Sequence, residues 1–131
     1  MKLKKAIIHV AGASKGNPGA AAIGATIKDE QGQLIACISQ RIGHATNNQA
    51  EYRAVIAALE KATRLGADDI ELYSDSELVV KQLRGEYRVK KAALKPLYQR
   101  VRQLQGQLDR FVIKHIRRQR NTEAHRLADS A

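Results

Sequence analysis

Between residues 6 and 42 the apolar positions fall into three short runs separated by polar or glycine-rich breaks. Residues 6–10 are largely apolar and β-branched and stop at Gly12, before the turn-forming Gly16-Asn17-Pro18-Gly19, which predicts a strand entering a tight loop. Residues 20–28 and 33–42 predict two more strands, and the polar Asp29-Glu30-Gln31-Gly32 between them has hairpin length. Three sequential antiparallel strands follow. From Thr46 the period changes: Ala50, Ala54, Ala58 and Ala62, with Val55 and Leu59, recur at helical spacing, while Arg53, Glu60, Lys61 and Arg64 fall elsewhere on the wheel. Thr46-Asn47-Asn48-Gln49 opens this amphipathic helix as a capping box and Gly66 closes it.

Ile70 and Leu72 alternate with Glu71 and Tyr73, so a short strand is expected to end near Asp75. A second helix around Leu78, Val79 and Leu83 stops near Gly85, and a longer one is expected from Ala93 to about Gln107, with Leu94, Leu97, Val101 and Leu104 on one stripe. Phe111 and Ile113 mark a last strand, and residues 123–131 a terminal helix capped by Asn121 or Thr122. The order βββαβααβα predicts an α/β fold in a single domain over residues 1–131. A mixed sheet with helices on both faces is expected.

That order has a chemical consequence. With the first strand and the strand at 69–74 parallel and adjacent, their carboxyl ends lie side by side, where open α/β sheets place ligands. Position 11 and Asp75 become neighbours, and the first turn of the helix after Thr46 brings Glu51 to the same edge. Paired carboxylates there suit a hard divalent cation.

Charge changes the picture of what binds. Lys and Arg number 23 against 13 Asp and Glu, a net +10 with a pI near 10.1, which makes nucleic acid the first partner to consider beside a merely soluble basic surface. Lys81, Arg84, Arg88, Lys90, Lys91 and Lys95 form one basic cluster, and Lys114, Arg117, Arg118 and Arg120 a second. The lone Cys37, in the run Leu34-Ile35-Ala36-Cys37-Ile38, reads as a buried core thiol, and a reducing cytoplasm fits it. The apolar stretch after Met1-Lys2 is too short for a signal core or a membrane span, so no membrane association is expected. A monomer is the expectation for this size. Tyr52, Tyr73, Tyr87 and Tyr98 are expected at the edge of the core.

Five blocks, in order, carry a family resemblance. Gly12-Ala13-Ser14-Lys15-Gly16-Asn17-Pro18-Gly19, Thr46-Asn47-Asn48-Gln49-Ala50-Glu51-Tyr52, Ser74-Asp75-Ser76-Glu77-Leu78-Val79-Val80, Gly85-Glu86-Tyr87-Arg88-Val89-Lys90 and Arg118-Gln119-Arg120-Asn121-Thr122-Glu123-Ala124-His125-Arg126-Leu127-Ala128 span nearly the whole chain. Together they resemble the type 1 ribonucleases H, in their archaeal-like branch. The resemblance implies a five-stranded mixed sheet and cleavage of the RNA strand of RNA/DNA hybrids. It also implies two Mg²⁺ or Mn²⁺ ions held by four carboxylates, one ion activating the attacking water and the other stabilising the leaving oxygen.

Carried over by position, the four catalytic sites are Ala11, Glu51, Asp75 and His125, so only two keep the acid. Ala11 stands where the family has the Asp that bridges both ions, so this chain is expected to cleave hybrid hardly at all. An isolated change in an intact block has the character of an introduced Asp-to-Ala substitution; drift into a noncatalytic hybrid-binding module is the alternative. A third possibility, an integrase- or resolvase-like DNA-cutting relative, is opposed by the Gly-Asn-Pro-Gly and Thr-Asn-Asn blocks. His125 is either a metal ligand better suited to Mn²⁺ than to Mg²⁺, or a spare polar residue, with Asp129 one turn later as a substitute carboxylate. Asn17, Asn47 and Asn48 sit where the family contacts the minor groove and its 2′-hydroxyls, although turn and cap roles suit asparagine equally. Thr46, His44 and Arg118 are candidate phosphate contacts, with Thr46 also a plain N-cap.

Overall fold

The computed structural model describes residues 3–131, so the basic Met1-Lys2 start lies outside the described residues. The predicted elements form in the predicted order: β1 (Lys5–Lys15), β2 (Gly19–Lys28), β3 (Leu34–Ala45), α1 (Asn47–Arg64), β4 (Asp69–Ser74), α2 (Glu77–Leu83), α3 (Lys95–Gln105), β5 (Arg110–His115) and α4 (Thr122–Asp129). A 3-10 turn, Arg118–Arg120, leads into α4. The strands make one sheet in the order β3-β2-β1-β4-β5. β1, β2 and β3 pair antiparallel, while β4 and β5 join parallel.

The boundary at Gly12 is a correction. β1 does not stop there but runs on to Lys15. Gly12 serves clearance, since a Cβ on it would lie 2.3 Å from the Ala50 carbonyl carbon, so α1 sits directly on the β1 backbone. Gly24 does the same for α4, where a Cβ would lie 2.1 Å from the Ala124 carbonyl oxygen. In the register Gly12 pairs with Ile23 and Ala11 with Gly24. Successive strand residues point to opposite faces, so α1 and α4 cover opposite sides of the sheet.

Ile8, Val10, Ile27, Tyr52, Val55, Leu59, Ile70, Leu72, Val79, Val80 and Val101 are fully buried and make one continuous core with the α1 face of the sheet and the α2 and α3 stripes. The buried Tyr52 hydroxyl donates to Gln82 Oε1 at 2.6 Å, which satisfies both groups. α3 begins two residues later than the pattern predicts. Pro96 near its start has no N–H to place in the helix interior, which fixes the helix entry there.

Two burial expectations fail. Cys37 is exposed, because β3 is an edge strand whose Ala36 and Ile38 turn to the core, which sends the intervening thiol to the other face. Leu34 and Ile35 beside it are 51% and 41% exposed. Tyr87 is also exposed, in the turn after α2, with the Lys81 ammonium 4.9 Å above its ring. Among the described residues no helix is long and apolar enough to cross a membrane.

Seating α1 on bare backbone makes a testable demand. Gly12→Ala is expected to lower stability by about 1–3 kcal/mol or more through overpacking, measured by urea denaturation. An unchanged midpoint would contradict the close approach.

Candidate active site

Parallel pairing of β1 with β4 ends at Val10 opposite Ser74. The next residues on the two strands are Ala11 and Asp75, so sheet register alone makes them neighbours. The capping box of α1 then fixes where Glu51 falls: Gln49 N–H donates to Thr46 Oγ1 at 3.1 Å and Thr46 N–H to Gln49 Oε1 at 2.8 Å. From the turn that follows, the Glu51 side chain spans both strand ends. Gly12 N–H donates to its Oε1 at 2.9 Å, and the Ser74 hydroxyl donates to its Oε2 at 3.1 Å. Only 5% of Glu51 is exposed. Burial pushes its carboxyl up to about 7, the Gly12 and Ser74 hydrogen bonds and His125 working against the rise and the nearby Asp75 charge adding to it.

Asp75 is held from α4. Asn121 Nδ2 donates to Asp75 Oδ2 at 3.2 Å and to the Val10 carbonyl at 2.8 Å, and His125 Nε2 lies 2.5 Å from the same Asp75 oxygen. Burial works to raise Asp75, but the His125 and Asn121 hydrogen bonds and the His125 and Arg118 charges outweigh it and hold the carboxyl low. The same oxygen of Asp75 thus meets both α4 side chains, and these contacts favour the carboxylate form. Buried Ala11 lies between two tethered neighbours, Val10 bound by Asn121 and Gly12 bound by Glu51. Positions 11, 51, 75 and 125 thus gather at one sheet edge.

The donor set present does not fit a pair of divalent ions. Ala11 supplies no oxygen, both Glu51 oxygens accept protein hydrogen bonds, and one Asp75 oxygen takes two donors. Among the described residues no three His, Cys, Asp or Glu groups are arranged to hold a metal. Asp129 is exposed and lines a groove of about 540 Å³ with Arg118, Thr122, His125 and Arg126. It joins neither Glu51 nor Asp75 in a ligand cluster.

Along the same edge lie the amides. Asn17 Oδ1 accepts from Asn47 N–H at 3.0 Å, and Asn47 Oδ1 accepts from Ser14 N–H at 3.0 Å, which ties the loop after β1 to the start of α1. Asn17, Thr46 and Asn48 share a cavity of about 180 Å³ with Lys91, from the loop between α2 and α3. The basic clusters divide: Lys81 pairs with Glu77 and Arg84 with Glu86, whereas Arg88, Lys90, Lys91 and Lys95 are exposed. Lys114, Arg117, Arg118, Arg120 and His44 are exposed as well.

Two residues that hold the site were not singled out from sequence. The sequence presents Asn121 only as a helix cap, yet it sits at the N-cap of α4 without making a side-chain cap and is 1% exposed. Ser74 carried no signal beyond its place before Asp75. In both cases the partner is distant in the chain, 111 residues for Asn121 to Val10 and 23 for Ser74 to Glu51.

The fold and this edge define a ribonuclease H-like protein. The sequence profile described as reverse transcriptase-like matches residues 9–131, and the chain belongs to that family. It is 47% identical over 120 residues to ribonuclease HI of Halobacterium salinarum, a match covering 92% of this chain and 60% of that protein. It is 42% identical over 128 residues to the bifunctional protein Rv2228c of Mycobacterium tuberculosis, covering 97% of this chain and 35% of that one. The chain thus spans only part of the length of these relatives. The N-terminal RNase H domain of the mycobacterial protein, solved as a maltose-binding-protein fusion, superposes with a TM-score of 0.94 at 42% identity, covering 97% of this chain and 98% of that one. LC11-RNase H1 in complex with RNA/DNA hybrid superposes with a TM-score of 0.92 at 38% identity, covering 96% and 95%.

Glu51 has a pH signature. Its folded pKa of about 7 lies above the ordinary 4.5, so its contribution to stability is complete at low pH and is lost as pH rises between those values. Glu51→Gln is expected to flatten that loss by up to about 3 kcal/mol, followed by urea denaturation from acid to neutral pH. An unchanged slope would refute the raised pKa.

Proposed function

We propose that this chain is a ribonuclease H-type domain that grips RNA/DNA hybrid, and that its hydrolysis of the RNA strand is silent or crippled as the sequence stands. One observation carries this: Glu51, Asp75 and position 11 are brought to one edge by distant parts of the fold, with alanine at the position that should bridge them. Backbone and side-chain scaffolding on both sides of position 11 is intact. The missing part is the negatively charged oxygen.

Binding draws on a different set of residues. The amides of Asn17 and Asn48, together with Asn47 bound to Asn17, are the groups we assign to reading 2′-hydroxyls in a minor groove, and Lys91 beside Asn17 and Asn48 offers a cation to the adjoining phosphate. Arg118, on the other side of Asp75, extends the cationic edge. A hybrid-bound relative of nearly equal length supports this choice of ligand. The catalytic set is Ala11, Glu51, Asp75 and His125 by position, and a parent with carboxylates at 11 and 125 would offer four acids to Mg²⁺ or Mn²⁺. We further propose a monomer working in a reducing cytoplasm, consistent with a lone cysteine. The second reading, a noncatalytic hybrid-binding module, is favoured by the His125 contact with Asp75.

Restoration separates the two. The double variant Ala11→Asp/His125→Asp is expected to cleave the RNA strand of a labelled hybrid with Mg²⁺ or Mn²⁺ at least about 10²-fold faster than the present chain, leaving DNA duplex uncut. A folded double variant that binds hybrid but does not cut would establish the noncatalytic module. Hybrid affinity is expected to fall as salt rises, and Lys91→Ala to reduce the slope of log affinity against log salt by about 1. Salt-independent affinity would count against the cationic edge as the grip.

A further inference from the structure

His125 is the odd member of the site. If it served as a ligand its imidazole would need a ring nitrogen facing the ion, but Nε2 is turned onto Asp75 Oδ2 at 2.5 Å. Its other nitrogen, Nδ1, is buried with no hydrogen-bond partner among the described residues. Neither nitrogen is therefore available to an incoming cation in this arrangement. On the other side of the contact, Asp75 Oδ2 receives Asn121 Nδ2 as well, at 3.2 Å. That amide also binds the Val10 carbonyl, which anchors the contact to the strand next to position 11. Arg118 and Arg126 flank His125 in the adjoining groove and oppose the approach of a divalent cation.

We propose that His125 and Asn121 form a side-chain lock on Asp75 that stands in for divalent cations, so that the chain engages hybrid without metal and an aspartate returned to position 11 alone opens no metal site. Without the bridging acid, the remaining carboxylates lack the ligands to hold ions, and the partly buried Asp75 carboxyl finds its partners within the protein. An imidazole one turn into α4 and the amide of the residue that precedes the helix are those partners. The lock acts by occupying Asp75, which makes His125 and Asn121 positioning residues here.

The metal-binding part stands independently of the function proposed above, whereas the hybrid part rests on it, and two measurements keep them apart. Calorimetric titration of Mn²⁺ into the whole chain carrying Ala11→Asp, Ala11→Asp/His125→Ala or Ala11→Asp/His125→Asp, without nucleic acid, tests the lock. With folding checked by thermal melting, both His125 variants are expected to bind Mn²⁺ more tightly than Ala11→Asp alone, the aspartate by at least about tenfold, the range in which neighbours of a ligand alter metal affinity. Equal affinity across the three, or weaker binding after His125→Ala, overturns the lock; the second outcome would make the imidazole a ligand. His125→Ala carries the test by itself if the buried aspartate prevents folding. In the second measurement, fluorescence anisotropy with labelled hybrid is expected to give the present chain the same affinity with EDTA as with Mg²⁺. Affinity that collapses in EDTA overturns metal-free engagement, and absence of binding under both conditions defeats the function proposed above while leaving the Mn²⁺ titration to judge the lock.

Discussion

Parallel pairing of β1 with β4 is the constraint on which the site depends. Val10 lies opposite Ser74 in the last matched position, so the chain delivers Ala11 and Asp75 to one edge without any attraction between them. Glu51 then closes the arrangement by accepting from both strands. A one-residue slip of β4 would turn its side chains to the opposite faces and detach Ser74 from Glu51. The alternation of buried Ile70, Leu72 and Ser74 with the partly buried residues between them holds the register.

Local physics made much of this legible from sequence. The capping box at Thr46, the switch from period two to helical spacing at Ala50, and the hairpin break at residues 29–32 are signals a few residues long, and each corresponds to an observed boundary. Gly12 misled because glycine has two uses. It ends strands in turns, and it also clears room for another backbone, which here is α1. Cys37 misled for a related reason: an apolar neighbourhood says that a strand is present but not whether that strand lies at the edge of the sheet.

In the site, residue identities were legible and their tethers were not. Glu51 and Asp75 could be assigned to one edge from topology, and the family resemblance marked positions 11 and 125. The hydrogen bonds of Asn121 to Val10 and Asp75 join segments far apart in sequence, and an asparagine before a helix looks the same whether it caps the helix or reaches across the sheet. The charge of the chain likewise indicated a polyanion without indicating which cations were free. Ion pairs with Glu77 and Glu86 withdraw Lys81 and Arg84, leaving the loop at residues 88–95 as the more open part of that cluster.

Fully buried Ala11 bears on how such a chain persists. An acid at that spot would add a third carboxyl beside one that burial already drives toward neutrality. Alanine relieves that crowding of like charge, so a small apolar residue there runs downhill for folding, whereas replacing either cramped glycine would run uphill. The shape of this edge is therefore carried by the tethers around position 11 and outlasts a change of the side chain there.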